Sequence, residues 1–135
     1  MLHLRFEGWS IEFPEEWEHE IDNHILALSE PGADGRIEIA ALSAARGGDA
    51  TDEELFATLE EFGADMAAAD RLVLGAFDGL TADALDEDGD AMRYWVLRAG
   101  DLMLLATHRT AADRAAAARP AVERILASLK RERGE

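Results

Sequence analysis

Asp86, Asp88 and Asp90 alternate around Gly89, the residue type and rhythm with which a loop wraps a hard cation such as calcium. The spacing does not complete. With Gly89 at the sixth position of a calcium loop, the first position falls on Ala84 and the last on Trp95, where carboxylates are required. Asp88-Gly89 is a hairpin dipeptide, so the run reads as a turn. His3, His19, His24 and His108 show no pair at the i, i+2 spacing of a strand or the i, i+4 spacing of a helix that would put two ligands on one face. The chain has no cysteine, which removes thiolate metal sites and disulfides alike. Ser10, Ser29, Ser43 and Ser128 stand outside any Gly-x-Ser-x-Gly setting, and there is no phosphate loop, dinucleotide fingerprint or His-Glu-x-x-His. The pairs Glu15-Glu16, Glu53-Glu54 and Glu60-Glu61 fall at turns and on a helix surface, where carboxylates are solvated. The expectation is a protein with no catalytic set, no metal and no cofactor, and so not an enzyme.

Large side chains remain as candidates for binding. Trp9, Trp17 and Trp95 all lie in periodic apolar runs and read as core; if one of them is exposed, it is Trp17, just past Pro14. The remaining candidates come from one element. Ala91 to Thr110 reads as two apolar strands reversing at Gly100-Asp101, because a two-residue loop with glycine first matches the twist of the flanking strands. Ala99 then faces Leu102 and the register of the ladder follows from the alternation of side chains. One face carries Met92, Tyr94, Val96 and Arg98 opposite Met103, Leu105, Thr107 and Arg109. The other carries Arg93, Trp95, Leu97 and Ala99 opposite Leu102, Leu104, Ala106 and His108. Both faces are apolar in the middle, as in a strand covered on both sides. Arg93 sits opposite His108 with Trp95 one pair along, which makes these three, with Trp17, the candidate partner or pocket contacts.

Elements before and after the hairpin follow in order. Leu2, Leu4 and Phe6 alternate with polar residues, and the parity flips at Gly8 before Trp9, Ile11 and Phe13, which suggests a bulge or tight bend in an N-terminal strand that Pro14 ends. His24 to Ser29 and Arg36 to Ser43 read as two further strands around a turn-rich run, completing a meander. Thr51-Asp-Glu-Glu54 has the spacing of a capping box and opens a helix with Leu55, Phe56, Leu59, Phe62, Gly63 and Met66 on one stripe, ending near Ala69. Leu72 to Phe77 and Leu80 to Leu85 read as strands flanking Asp78-Gly79. A second capping-box spacing from Thr110 to Asp113 opens a closing helical segment with Val122, Ile125, Leu126 and Leu129 on its apolar stripe. Pro120 should kink or split it, and Lys130 to Glu135 should fray.

This order predicts an α+β fold: an antiparallel β-sheet with helices packed on its faces, in one domain over residues 1–135. The formal charge of −16 opposes any electrostatic affinity for nucleic acid or anionic lipid. No apolar run approaches the roughly 18 residues that span a bilayer, and the first residues lack a leader pattern. A cytoplasmic protein is expected, with no membrane insertion and no nucleic-acid partner.

Phe13-Pro14-Glu15-Glu16-Trp17, the mid-chain amphipathic helix, the hairpin from Met92 to His108 and the closing Ile125-Leu-Ala-Ser-Leu129 together resemble the PsbP-like superfamily, and within it the small bacterial DcrB-like proteins. The resemblance implies an α/β/α sandwich on a curved antiparallel sheet that serves protein binding. Members include photosystem subunits, lipoproteins and chaperones that shield hydrophobic segments of secreted effectors. The lipoprotein branch needs a cysteine that this chain lacks. The leading expectation is therefore a non-enzymatic domain that binds another protein, as a secretion-associated chaperone, adaptor or immunity-type partner, and is itself a monomer or homodimer. The alternative is a small-molecule binding domain with a pocket between sheet and helix near Arg93, Trp95 and His108. A hydrolase assembled from His108 and scattered carboxylates ranks third.

Overall fold

The computed structural model describes residues 1–6, 8–32, 35–43, 49–85 and 89–131. They form β1 (Leu2–Phe6), β2 (Trp9–Phe13), β3 (Glu18–Asp22), β4 (Ile25–Ser29), β5 (Arg36–Ser43), α1 (Asp52–Glu61), β6 (Asp70–Leu74) and β7 (Phe77–Leu85). The chain continues through β8 (Ala91–Ala99), β9 (Leu102–Thr110), α2 (Ala115–Ala127) and β10 (Lys130–Arg131). One antiparallel sheet has seven strands in the order β3-β4-β5-β9-β8-β7-β6; a smaller one has the order β1-β2-β10.

The central hairpin is β8 and β9. Gly100 takes a φ of +61° and Ala99 pairs with Leu102, so the ladder runs in the expected register out to Ala91 opposite Thr110. Both faces are covered. On one, Trp95, Leu97, Leu104 and Ala106 share a core with Trp9, Ile11 and Phe13 of β2 and Val122, Ile125 and Leu126 of α2. On the other, Val96, Met103 and Leu105 pack with Leu55 and Leu59 of α1. The fold is α+β, with helices on opposite faces of an antiparallel sheet.

Several local expectations change once strands find partners. The parity flip at Gly8 is a chain reversal: Phe6 pairs with Trp9, Gly8 has a φ of +93°, and β1 and β2 leave the meander for the smaller sheet. The meander is β3-β4-β5, and β3 was hidden because all five of its residues are exposed on an edge, with no apolar alternation to mark it. Its hairpin reverses through Asn23 and His24, both with positive φ (51° and 65°). α1 stops eight residues early. Gly63, at a φ of +86°, follows its C-cap Phe62, and the left-handed conformation that glycine tolerates ends the helix there; a 3₁₀ turn at Met66–Ala68 follows. Phe56 and Phe62 flank the buried stripe instead of joining it and are 43% and 44% exposed.

Asp78-Gly79 lies inside β7, and the turn before it is at Gly75, where Leu74 pairs with Phe77. β9 runs through Thr110, so that residue is not a helix cap; a 3₁₀ turn at Ala112–Arg114 leads into α2 without a side-chain cap. α2 continues through Pro120. The proline is one turn and a half from the helix start, on the solvent side, so the lost amide hydrogen bond is not a buried one. Lys130 and Arg131 do not fray: they pair with Ser10 and Trp9. Arg131 reaches over the hairpin loop, donating to the Ala99 carbonyl at 2.6 Å and pairing with Asp101. Residues 132–135, and Asp86 and Asp88 of the acidic run, lie outside the described residues.

The start of α1 is tied to the sheet by charge. Thr51 Oγ1 accepts from the Glu54 amide at 3.1 Å, the expected cap. One residue on, Asp52 pairs with Arg71 of β6 and Arg98 of β8, both at 2.8 Å, while Arg98 also holds Asp78 and donates to the Ala50 carbonyl. Hydrogen bonds from Arg71 and then Arg98 hold the Asp52 carboxyl below its usual range. A depressed carboxylate stabilises the fold above its unfolded pKa, and that contribution is lost as pH falls through the depressed folded value. Melting temperatures of the native chain and Asp52→Asn are therefore expected to differ at neutral pH and to converge below about pH 4. A constant gap across that range in a pH series of thermal melts would mean that the carboxylate charge contributes nothing.

Candidate functional site

α2 changes composition along its length. Its second half carries Val122, Ile125 and Leu126, which reach the sheet and are buried. Its first half is Ala115, Ala116, Ala117 and Ala118, with Ala121 a turn later, and methyl groups do not fill the space between a helix and a sheet. A cavity of about 260 Å³ opens there. Its floor is Ile37 of β5 and His108 and Thr110 at the end of β9; its roof is Ala117, Ala118, Ala121 and Val122 of α2. Trp17 closes one side, placed by a β-turn in which its amide donates to the Pro14 carbonyl at 3.0 Å.

Gly35 completes the wall by having no side chain. A Cβ there would sit 3.1 Å from His108 Nε2 and 3.5 Å from Thr110 Oγ1. His108 is 8% exposed, and its row across the sheet is informative: Asp83, Arg93, His108 and Ile37 are successive register partners on β7, β8, β9 and β5. The row changes from charged at β7 to apolar at β5, and the cavity lies over its apolar end. Two opposite charges, Glu30 and Arg114, stand at the mouth.

Of the four residues singled out in the sequence, the structure brings Trp17 and His108 to this cavity. Arg93 and Trp95 do not line it. Trp95 is 1% exposed and belongs to the core beside β2 and α2. Arg93 lies over the Trp95 ring, 5.8 Å from its centroid, and donates to Asp83 Oδ1 at 2.7 Å. Arg119 of α2 reaches the same oxygen at 3.3 Å. A shallower depression of about 470 Å³ lies beside Asp83 and Arg119, but its guanidinium is already engaged there. Sequence reasoning missed Glu30, Gly35, Arg114 and the alanines of α2. The signal for the alanines was present as the shift from Ala115–Ala118 to Val122, Ile125 and Leu126; the others meet only in three dimensions.

Among solved structures, the chain is similar to cyanobacterial PsbP (CyanoP) from Synechocystis sp. PCC 6803, with 13% sequence identity and a TM-score of 0.46 over 92% of this chain and 86% of that one. No protein-family model matches the chain. No curated protein matches it.

The cavity combines an apolar body with a polar end. The chain has no cysteine, and among the described residues its lining contains no serine and no three His, Asp or Glu side chains converge as a metal site would need. No helix among the described residues is long and apolar enough to cross a membrane.

Proposed function

We propose that this chain is a non-catalytic binding domain for a small amphipathic molecule, held between the seven-stranded sheet and the first half of α2. The cavity lined by Trp17, His108 and the α2 alanines carries the proposal. Its volume of about 260 Å³ falls just below the roughly 300–1,000 Å³ common for ligand sites, so the occupant is small. Walls of Ile37, Val122 and alanine suit an apolar body, and polar groups converge at one end, which is how such sites fix orientation.

Ala121→Leu places a larger side chain in the cavity. Filling a void with a compatible apolar group commonly stabilises by about 0.5–2 kcal/mol. The variant is expected to melt at a higher temperature and to lose binding of phenylpropanol, a neutral apolar probe, followed by tryptophan fluorescence, to which Trp17 in the cavity wall contributes. A variant that binds the probe like the native chain would show that this space is not a ligand site.

A second reading, binding of another protein, draws on the exposed Phe56 and Phe62 beside α1, set among Glu53, Glu60 and Glu61. A cytoplasmic adaptor, immunity-type protein or secretion-associated chaperone would use such a surface. Affinity capture from the source organism at low and moderate salt tests it: a stoichiometric partner lost in Phe56→Ser/Phe62→Ser, with melting unchanged, supports it, and a partner retained by that variant removes these residues from the interface.

A further inference from the structure

Two opposite charges line the cavity. Every arginine on the seven-stranded sheet holds a carboxylate: Arg36, Arg71, Arg93, Arg98 and Arg109. Acidic residues outnumber basic ones 29 to 13, so carboxylates are never scarce. Yet neither Arg114 nor Glu30 has an ion-pair partner among the described residues, although the two line one cavity and could have been placed to pair with each other. An unpaired cation and an unpaired anion facing one apolar space complement a ligand that carries both charges.

We propose that the occupant is a small zwitterion with an apolar body, of the kind an apolar α-amino acid exemplifies. This rests on the pocket reading above and specifies its ligand class. The carboxylate goes to the Arg114 guanidinium, which presents a planar fork of donors suited to it. The ammonium goes to Glu30, which only accepts. The apolar body lies between Ile37, Trp17 and the α2 alanines. The net charge of the protein points the same way. A formal −16 repels a free anion, whereas a zwitterion carries no net charge and approaches without that penalty.

Four probes with one apolar body separate the charges: L-phenylalanine carries both, phenylpropanoate the anion alone, phenethylamine the cation alone and phenylpropanol neither. Each is titrated calorimetrically into the native chain, Glu30→Gln, Arg114→Gln and Ala121→Leu. Glu30 and Arg114 are exposed, so both charge variants are expected to melt like the native chain. L-phenylalanine is expected to bind about tenfold tighter than either singly charged probe, since each charge-assisted contact contributes about that factor. Glu30→Gln should erase its advantage over phenylpropanoate, and Arg114→Gln its advantage over phenethylamine.

If phenylpropanoate or phenethylamine binds as tightly as the amino acid, the zwitterion is overturned in favour of a singly charged ligand. If all four bind alike and Ala121→Leu abolishes binding, the charges play no part while the pocket stands. If none binds, or if binding survives Ala121→Leu, the pocket reading falls and the zwitterion with it.

Discussion

Trp95→Ala is expected to cost about 3–5 kcal/mol of unfolding free energy, the range for truncating a buried aromatic side chain. Trp95 is 1% exposed at the middle of β8, the strand that with β9 joins both cores. Its removal leaves a void between β2, the sheet and α2, and the neighbouring strands cannot collapse into it without losing register. Among the described residues the indole N–H has no hydrogen-bond partner, so Trp95 does not stabilise as much as its area alone implies. Trp95→Phe removes that unsatisfied donor along with part of the volume. It is expected to cost no more than about 1.5 kcal/mol, as a near-conservative apolar swap does. Urea titrations monitored by far-ultraviolet circular dichroism measure both. Equal losses for the two variants would mean that a phenyl ring recovers none of the packing the indole supplies, and a small loss for alanine would mean that Trp95 is not at the centre of the core.

Gly79→Ala is expected to be the most damaging exchange of a single hydrogen for a methyl group, at about 3 kcal/mol or more. Gly79 sits inside β7 opposite Leu72 and Leu97, and a Cβ there would meet the Val96 carbonyl of β8. The obstacle is backbone, which cannot rotate away as a side chain can, so β7 must shift relative to β8. That shift would disturb the ladder from which Asp83 and Thr81 are positioned. Gly63→Ala supplies the contrast. Its φ of +86° strains an L-residue, but nothing lies within 4 Å of the added carbon. It should cost only about 1–2 kcal/mol, the expense of the left-handed region. If the two variants lose the same stability in urea titrations, the close approach at Gly79 is not a constraint on the fold.

These expectations bear on the site because the cavity is a product of the scaffold. β9 carries His108 and Thr110 only because its pairing with β5 and β8 holds the end of the strand under α2. The floor of the cavity therefore inherits its position from the same ladder that Trp95 and Gly79 stabilise. The proposed binding, however, would depend on residues that contribute little to that stability, Glu30, Arg114 and Ala121.

Legibility followed the range of the interactions. The β8–β9 hairpin could be read to the residue, because a glycine-led two-residue loop sets the register and period-two alternation propagates it. The capping box at Thr51 and the buried stripe of α2 are similarly local. Termination of α1 was present in Gly63 but was outweighed by an apolar spacing that continued to Met66. The edge strand β3 carried no pattern, since a strand exposed throughout has no reason to alternate.

The amino-acid sequence by itself determined the central hairpin, its register, the buried stripe of α2 and the α+β class, because each follows from contacts between near neighbours and from the periods of helix and strand. Tertiary structure alone decided that β1 and β2 leave the meander to pair with β10, and that Trp95 and Arg93 face the core and Asp83 while Trp17 and His108 line a cavity. It also brought Arg114 to the opening lined by Glu30 and Gly35, which lie far from it in the chain. The physical reason is that a cavity is the space left where distant elements fail to fill the gap between them, and no local period encodes what is missing between a helix and a sheet.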